Sequence, residues 1–157
     1  MTERIEYNGK IWDIPIVYTD NIIYDWAAGV FTGSEIKIRP MYKGRLGILE
    51  HEKEHALQFM MNRNHMLDYL TDPEYRYYCE IEAYKKTIKY SGYTDVSQIM
   101  WIVRAISENY EIDKNDEYTI DRLKVALNKR NKLKRANLKP LYAVIALMAL
   151  IVIIVAI

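Results

Sequence analysis

The N-terminal third of the chain mixes apolar and polar residues over short runs, as strands do. Residues 4–7 and 10–14 flank Asn8-Gly9, and both turn residues tolerate the positive φ angles of a type I′ turn, so this stretch predicts a hairpin. Residues 35–39 alternate between polar and apolar positions, which is the pattern of a half-buried strand. We therefore expect a small antiparallel sheet.

From residue 44 onward, apolar residues recur at the three- and four-residue spacing of helices. This spacing predicts helices over residues 44–62, 73–90, 96–110 and 120–137. Asp72 comes directly before the second helix and is expected to cap it. A small sheet followed by packed helices predicts an α+β fold.

The end of the chain is apolar at nearly every position. Leu141 to Ile157 contains no charged residue, and only Tyr142 carries a polar group. A helix of this length spans about 25 Å, close to the ~30 Å hydrocarbon core of a bilayer. Since a soluble core helix is rarely apolar on every face, we predict a C-terminal transmembrane helix over residues 140–157. The alternative is a buried or oligomer-forming helix.

Charge is distributed unevenly along the 157 residues, although the net charge is only +1. Residues 121–157 hold eight Lys or Arg and one Asp, whereas the remainder holds 14 basic and 20 acidic residues. Basic residues beside a membrane helix stay on its cytoplasmic side. We therefore predict a single-pass, tail-anchored membrane protein with a cytoplasmic domain, residues 1–119, and a basic juxtamembrane helix, residues 120–139. Residues 122–157 are expected to contact membrane lipid, and no nucleic-acid partner is expected.

The residues with the clearest chemistry lie in the first predicted helix. Residues 51–55 read His-Glu-Lys-Glu-His, an H-E-x-x-H motif. Residues four apart share one helix face, so His51 and His55 can direct two imidazole nitrogens at one Zn²⁺ ion. Glu52, beside the first histidine, can act as the general base for a zinc-bound water. The alternative is a solvated helix with two surface histidines, which the charged residues around the motif favour.

A catalytic zinc ion usually takes a third protein ligand. Met61 stands six residues after His55, where a metzincin would carry a histidine, so that pattern fails. Residues 80–83 read Glu-Ile-Glu-Ala, and with the motif they resemble the gluzincin zinc metallopeptidases, particularly small bacterial and phage-type members. The resemblance implies a zincin-like helical core with Glu80 as the third ligand, on a helix that Ala83 allows to approach the motif helix closely.

The resemblance leaves alternatives open at the ligand set. Glu82 is a second candidate for the third ligand, and His65 is a weaker one. Many gluzincins carry an acidic residue four after the ligand to orient a histidine, whereas this chain has Tyr84 there. The resemblance also implies that a strand just before the motif helix, residues 35–39, forms the sheet edge with which an extended substrate pairs. A plain sheet edge is the alternative.

These features predict a membrane-anchored zinc metallopeptidase that cleaves a peptide or protein, with His51, His55 and Glu80 as ligands and Glu52 as general base. A second hypothesis is a non-catalytic membrane-anchored adaptor with a structural or vestigial metal site. A fourth ligand from Cys79 or Glu82 would favour that hypothesis. A third hypothesis is a lysis or membrane-remodelling protein that acts through its basic segment and anchor.

Overall fold

The computed structural model describes residues 1–92, 96–110, 121, 123 and 124. The described part of the chain has an α+β fold, as predicted, with a four-stranded sheet, a short 3₁₀ turn and four helices. In chain order the elements are β1 (Thr2–Tyr7), β2 (Lys10–Tyr18), β3 (Gly29–Phe31), β4 (Ile36–Ile38), the 3₁₀ turn (Pro40–Tyr42), α1 (Leu46–Met61), α2 (His65–Thr71), α3 (Pro73–Tyr90) and α4 (Val96–Tyr110).

The predicted hairpin is confirmed. β1 and β2 pair antiparallel, with Tyr7 opposite Lys10 across a two-residue turn. Asn8 and Gly9 have φ angles of 49° and 72°, and this left-handed conformation matches the twist of the flanking strands. β2 continues through Pro15 to Tyr18, and β4 pairs with it only from Ile16 onward.

The sheet is mixed, and the prediction of an antiparallel sheet is wrong at one ladder. The strand order is β1-β2-β4-β3, and β2 pairs with β4 in parallel. β3 then pairs antiparallel with β4 from the far side. The strand predicted over residues 35–39 is therefore internal, and within the described residues β3 forms that edge of the sheet. Gly29-Val30-Phe31 is too short to show a strand period in the sequence.

α1 packs across the sheet and also against α3. Its sheet-facing side joins an apolar core that contains Trp12 of β2, Phe31 of β3 and Phe59 of α1. The rings of these three residues lie 5.7–5.9 Å apart between centroids, which fixes the edge strand to the helix. α1 thus sits between the sheet on one side and a helical layer on the other.

α3 begins at Pro73 and ends at Tyr90, as predicted. The side chain of Asp72 accepts hydrogen bonds from the backbone N–H groups of Glu74 and Tyr75, at 2.9 and 3.1 Å, and so caps the helix as expected. The other face of α3 packs against α4. This second apolar core contains Ile81, Ile88, Ile102, Val103, Ile106 and Leu123.

The structure describes only residues 121, 123 and 124 of the helix predicted over 120–137 and of the basic juxtamembrane helix predicted over 120–139. The predicted anchor, residues 140–157, lies entirely outside the described residues. Within the described part, no helix has the length and apolar character needed to cross a membrane.

Candidate metal centre

Three potential ligand atoms converge between α1 and α3. The Nε2 atoms of His51 and His55 are 3.2 Å apart. Glu80 of α3 faces both, with Oε1 3.2 Å from His55 Nε2 and Oε2 3.7 Å from His51 Nε2. Two ligands of a tetrahedral zinc ion at 2.0–2.1 Å lie about 3.3–3.4 Å from one another. The separations of these three side chains therefore fit a metal ion, although they do not specify which metal.

Glu80 shows why the site suits a cation. The residue is fully buried, and its Oε2 atom has no hydrogen-bond partner among the described residues. A buried carboxylate oxygen left in this way is costly unless a charge compensates it. An ion between Glu80 and the two imidazoles would provide that compensation.

Hydrogen bonds at the Nδ1 atoms orient both imidazole rings. The amide nitrogen of Gln58 donates to the Cys79 carbonyl at 3.0 Å, so its Oε1 faces His55 Nδ1 at 2.9 Å and accepts from it. The Thr87 hydroxyl lies 3.2 Å from His51 Nδ1 and donates towards backbone carbonyls of both helices. With hydrogen on both Nδ1 atoms, each neutral ring directs its Nε2 lone pair into the space between the ligands.

In the metal-free protein a proton takes the place of the cation. Burial opposes a charge on His55, but the adjacent Glu80 carboxylate outweighs it and raises the pKa of His55 to about 9. Burial and the charge on His55 together lower the pKa of His51 to about 4. Burial alone would raise the pKa of Glu80, yet the two histidines bring it down to about 2. The ligand cluster thus holds one proton and one carboxylate charge near neutral pH.

Close approach of α1 and α3 brings Glu80 to the histidines. A Cβ atom added to Gly47 would lie 3.1 Å from the Ser91 side chain and 3.2 Å from the Thr87 carbonyl, so only glycine fits without displacing α3. Ala83 is fully buried, and it is the small residue that the Glu-Ile-Glu-Ala run of residues 80–83 led us to expect. Small residues where α1 and α3 meet therefore let the two helices come close enough for Glu80 to reach the histidines.

Glu52 lies on the sheet side of the same centre. It is 6% exposed and lies beside the edge strand β3. Burial raises the pKa of Glu52 to about 7. A Cβ atom on Gly29 would lie 3.1 Å from Glu52 Cγ and 3.2 Å from Glu52 Oε1. β3 therefore passes so close to Glu52 that it fixes where the carboxylate can lie.

The competing ligand candidates lie elsewhere. Glu82 is not in the cluster, and its Oε1 accepts a hydrogen bond from Lys85 at 2.6 Å. His65 is buried and its Nδ1 atom lies 2.9 Å from the Tyr75 hydroxyl. Cys79 contributes its backbone carbonyl to Gln58, and burial raises the pKa of its thiol to about 12, well above the range in which it would bind as thiolate.

Two tyrosines border the ligands. The Tyr69 hydroxyl of α2 donates to Oε1 of Glu80. The ring of Tyr84, which stands where gluzincins often have an acidic residue, packs edge-on against the His51 ring at 4.6 Å. Neither Gln58, Thr87 nor Tyr69 was singled out from the sequence. Gln58 and Thr87 had a weak signal, since each is a polar residue on the ligand-bearing face of its helix, but α2 gave no indication that Tyr69 would reach the site.

The charged residues of the motif point away from the ligands. Lys53 forms ion pairs with Glu50 at 2.8 Å and with Glu3 of β1 at 3.2 Å. Glu54 pairs with Lys86 of α3 at 2.9 Å. These contacts tie the outer face of α1 to its neighbours, so the charges that favoured a solvated helix do not disturb the buried face.

Comparisons with protein families, curated proteins and solved structures found no match for this chain.

Proposed function

We propose that this protein is a zinc-dependent metallopeptidase of the gluzincin type. One observation carries the proposal: His51, His55 and Glu80 converge on a single point, and the buried Glu52 lies beside it. Three protein ligands leave a tetrahedral ion with an open position, which catalytic zinc sites need and structural sites lack. Among the described residues no fourth ligand joins the group, which favours an enzyme over the adaptor hypothesis.

The arrangement of the ligands along the chain favours zinc over other ions. Two imidazoles and one carboxylate suit zinc, but two histidines and a carboxylate with open positions also bind Fe(II) in oxygenases. Two histidines four residues apart on one helix, with a glutamate after the first, form the arrangement of hydrolytic zinc sites. Metal content is therefore the first property to measure.

Glu52 would carry the proton in hydrolysis. Bound zinc would polarise the scissile carbonyl and make a water molecule more acidic. The Glu52 carboxylate, buried beside the proposed ligands, would accept a proton from that water and release it to the departing amine. The close passage of Gly29 beside Glu52 would hold the carboxylate in place during both transfers.

β3 provides the edge that an extended substrate would use. On the side that faces β4, the Ala28 carbonyl accepts a hydrogen bond from the Arg39 N–H, and the Thr32 N–H donates to the Glu35 carbonyl. The alternation of a strand therefore turns the backbone groups of Gly29 and Phe31 outward, towards Glu52. A peptide paired with β3 would lie along the metal centre. β3 thus takes the role that the sequence assigned to residues 35–39.

We also propose that the catalytic domain is held at a membrane. The support is in the sequence: residues 122–157 combine a basic segment with an uncharged apolar run. Such a pair would place the domain on the cytoplasmic side and contact anionic lipid. Extraction of membranes at alkaline pH tests this, because an anchored chain stays with the lipid, and release of the full chain would contradict the anchor.

The metal content of the full chain tests the function. We expect one zinc ion per chain and zinc-dependent cleavage of a mixed fluorogenic peptide library. Glu80→Gln should lose the metal, because it removes the charged ligand from a buried site. Glu82→Gln is the matched control and should keep it, because Glu82 is paired with Lys85 instead. A wild-type chain without metal, or cleavage that survives complete metal removal, would overturn the proposal.

A further inference from the structure

Each of the three proposed ligands is held by one uncharged side chain. Thr87 contacts His51, Gln58 contacts His55, and Tyr69 donates to Glu80. Zinc-bound histidines often donate instead to carboxylates, which make the ligands more basic. Tyr84 occupies the position at which gluzincins often place that carboxylate, and it contacts His51 with its ring.

Thr87 and Gln58 both accept a hydrogen bond and donate one. The Gln58 Oε1 accepts a hydrogen bond from His55 Nδ1, and its Nε2 donates one to the Cys79 carbonyl of α3 at 3.0 Å. Thr87 accepts from His51 and lies 3.4 Å from the Gly47 carbonyl of α1 and 3.5 Å from the Ala83 carbonyl of α3. A carboxylate could accept from the imidazoles but has no hydrogen for these carbonyls. Only an amide or a hydroxyl satisfies both neighbours.

We propose that Thr87 and Gln58 are the positioning residues of the metal centre: each connects one histidine ligand to a backbone carbonyl and so fixes the ring with its Nε2 atom towards the metal. The inference rests on the proposed metal site. Thr87 takes over at His51 the orienting role that the acidic residue plays in the gluzincin pattern. Packing of α1 against α3 thereby sets ring orientation as well as ligand distance.

The test compares three variants of the full chain. Thr87→Val keeps the shape but removes the hydroxyl, and Thr87→Ser restores a hydroxyl. Thr71→Val is the matched control, because the Thr71 hydroxyl bonds only the Leu67 carbonyl within α2. The readouts are the zinc dissociation constant, from competition with a chelator, and the imidazole N–H signals of the zinc-loaded protein in ¹⁵N-resolved NMR.

We expect Thr87→Val to weaken zinc binding about 10- to 100-fold, the usual effect of losing a partner of a metal-bound histidine. It should also remove the protected Nδ1–H signal of His51 and leave that of His55. Thr87→Ser should restore both properties, and Thr71→Val should match the wild type. A general loss of stability would instead weaken both signals, and Thr87→Ser would not restore them.

The outcomes separate this inference from the proposed function. If the wild type binds zinc and Thr87→Val binds it equally well with both N–H signals present, the positioning role is overturned and the metallopeptidase proposal stands. If the wild type binds no zinc, the proposed function is overturned, and the inference is overturned with it.

Discussion

The two faces of α1 use polar residues in opposite ways. On the inner face, His51, Glu52 and His55 are largely shielded from water, and the two histidines contact uncharged hydrogen-bonding groups and Glu80. On the outer face, Lys53 and Glu54 form ion pairs with neighbouring elements while remaining partly exposed. The same helix therefore carries an inner set of ionisable groups that converge on one point and an outer set that forms separate ion pairs with flanking elements.

The position of a charged residue on α1 decides whether it affects the proposed ligands. Buried charges interact through a low effective dielectric and shift the pKa values of their neighbours, as they do at His55 and Glu80. An ion pair with one well-exposed partner, such as Lys86 in the pair with Glu54, is partly screened by water and contributes little. Charged residues beside a metal motif are therefore compatible with a metal site when they point outward, as Lys53 and Glu54 do.

Matched glutamate substitutions on the two faces should give the largest contrast. Glu52→Gln removes the proposed general base and should lower peptide hydrolysis by about a hundredfold to ten-thousandfold. Because Glu52 is not among the three proposed ligands, zinc content should stay at one ion per chain. Glu50→Gln, on the outer face, should leave hydrolysis unchanged. The measurements are initial rates on a peptide substrate and metal content. Wild-type rates in Glu52→Gln would show that another group moves the proton.

Gly29→Ala perturbs the inner face from the strand side. The new methyl group would meet Glu52 Cγ at 3.1 Å and the Lys37 carbonyl at 3.1 Å, so the Glu52 side chain must move. We expect hydrolysis to fall about tenfold to a hundredfold, as small displacements of catalytic groups do, while zinc affinity is kept. Gly92→Ala is the control, since nothing lies within 4 Å of the added atom. A normal rate in Gly29→Ala would mean that β3 does not position Glu52.

The coupled charges of the inner face should make zinc binding depend on pH. The pKa of His55 is about 9 without metal, so below that pH zinc must displace the proton from His55. Affinity should therefore rise with pH, about tenfold per unit between pH 7.5 and 8.5, and level off above the pKa of His55. Calorimetry in two buffers of different ionisation enthalpy should count about one proton released at pH 8. Affinity that is flat over this range would contradict the ion pair between His55 and Glu80.

Features set by local chemistry could be predicted from the sequence. The turn at Asn8-Gly9 follows from backbone preferences, and the cap at Asp72 follows from the unpaired N–H groups of a helix end. The convergence of His51 and His55 follows from helix geometry alone. Each of these needs only neighbouring residues, so tertiary contacts cannot easily overrule it.

Features set by packing could not be predicted. β3 is a strand because Phe31 joins the aromatic core and Gly29 allows close contact with Glu52, and neither contact leaves a period in the sequence. The place of β4 inside the sheet depends on this pairing. Gln58 and Thr87 reach the histidines only because α1 and α3 approach closely at Gly47. The groups that contact the histidines at Nδ1 were therefore missed, although the three candidate ligands and Glu52 were named.

The smallest effect is expected on the outer face. Lys86 is 40% exposed at its side chain and pairs with Glu54 across α1 and α3. In a double-mutant cycle of Glu54→Gln and Lys86→Met, the coupling free energy of unfolding should be about 0.2–1 kcal/mol, because solvent screens the pair. Neither variant should change zinc affinity, since both side chains point away from the ligands. A coupling well above this range, or weaker zinc binding in either variant, would show that the outer ion pair also sets the α1–α3 spacing on which the ligand distances depend.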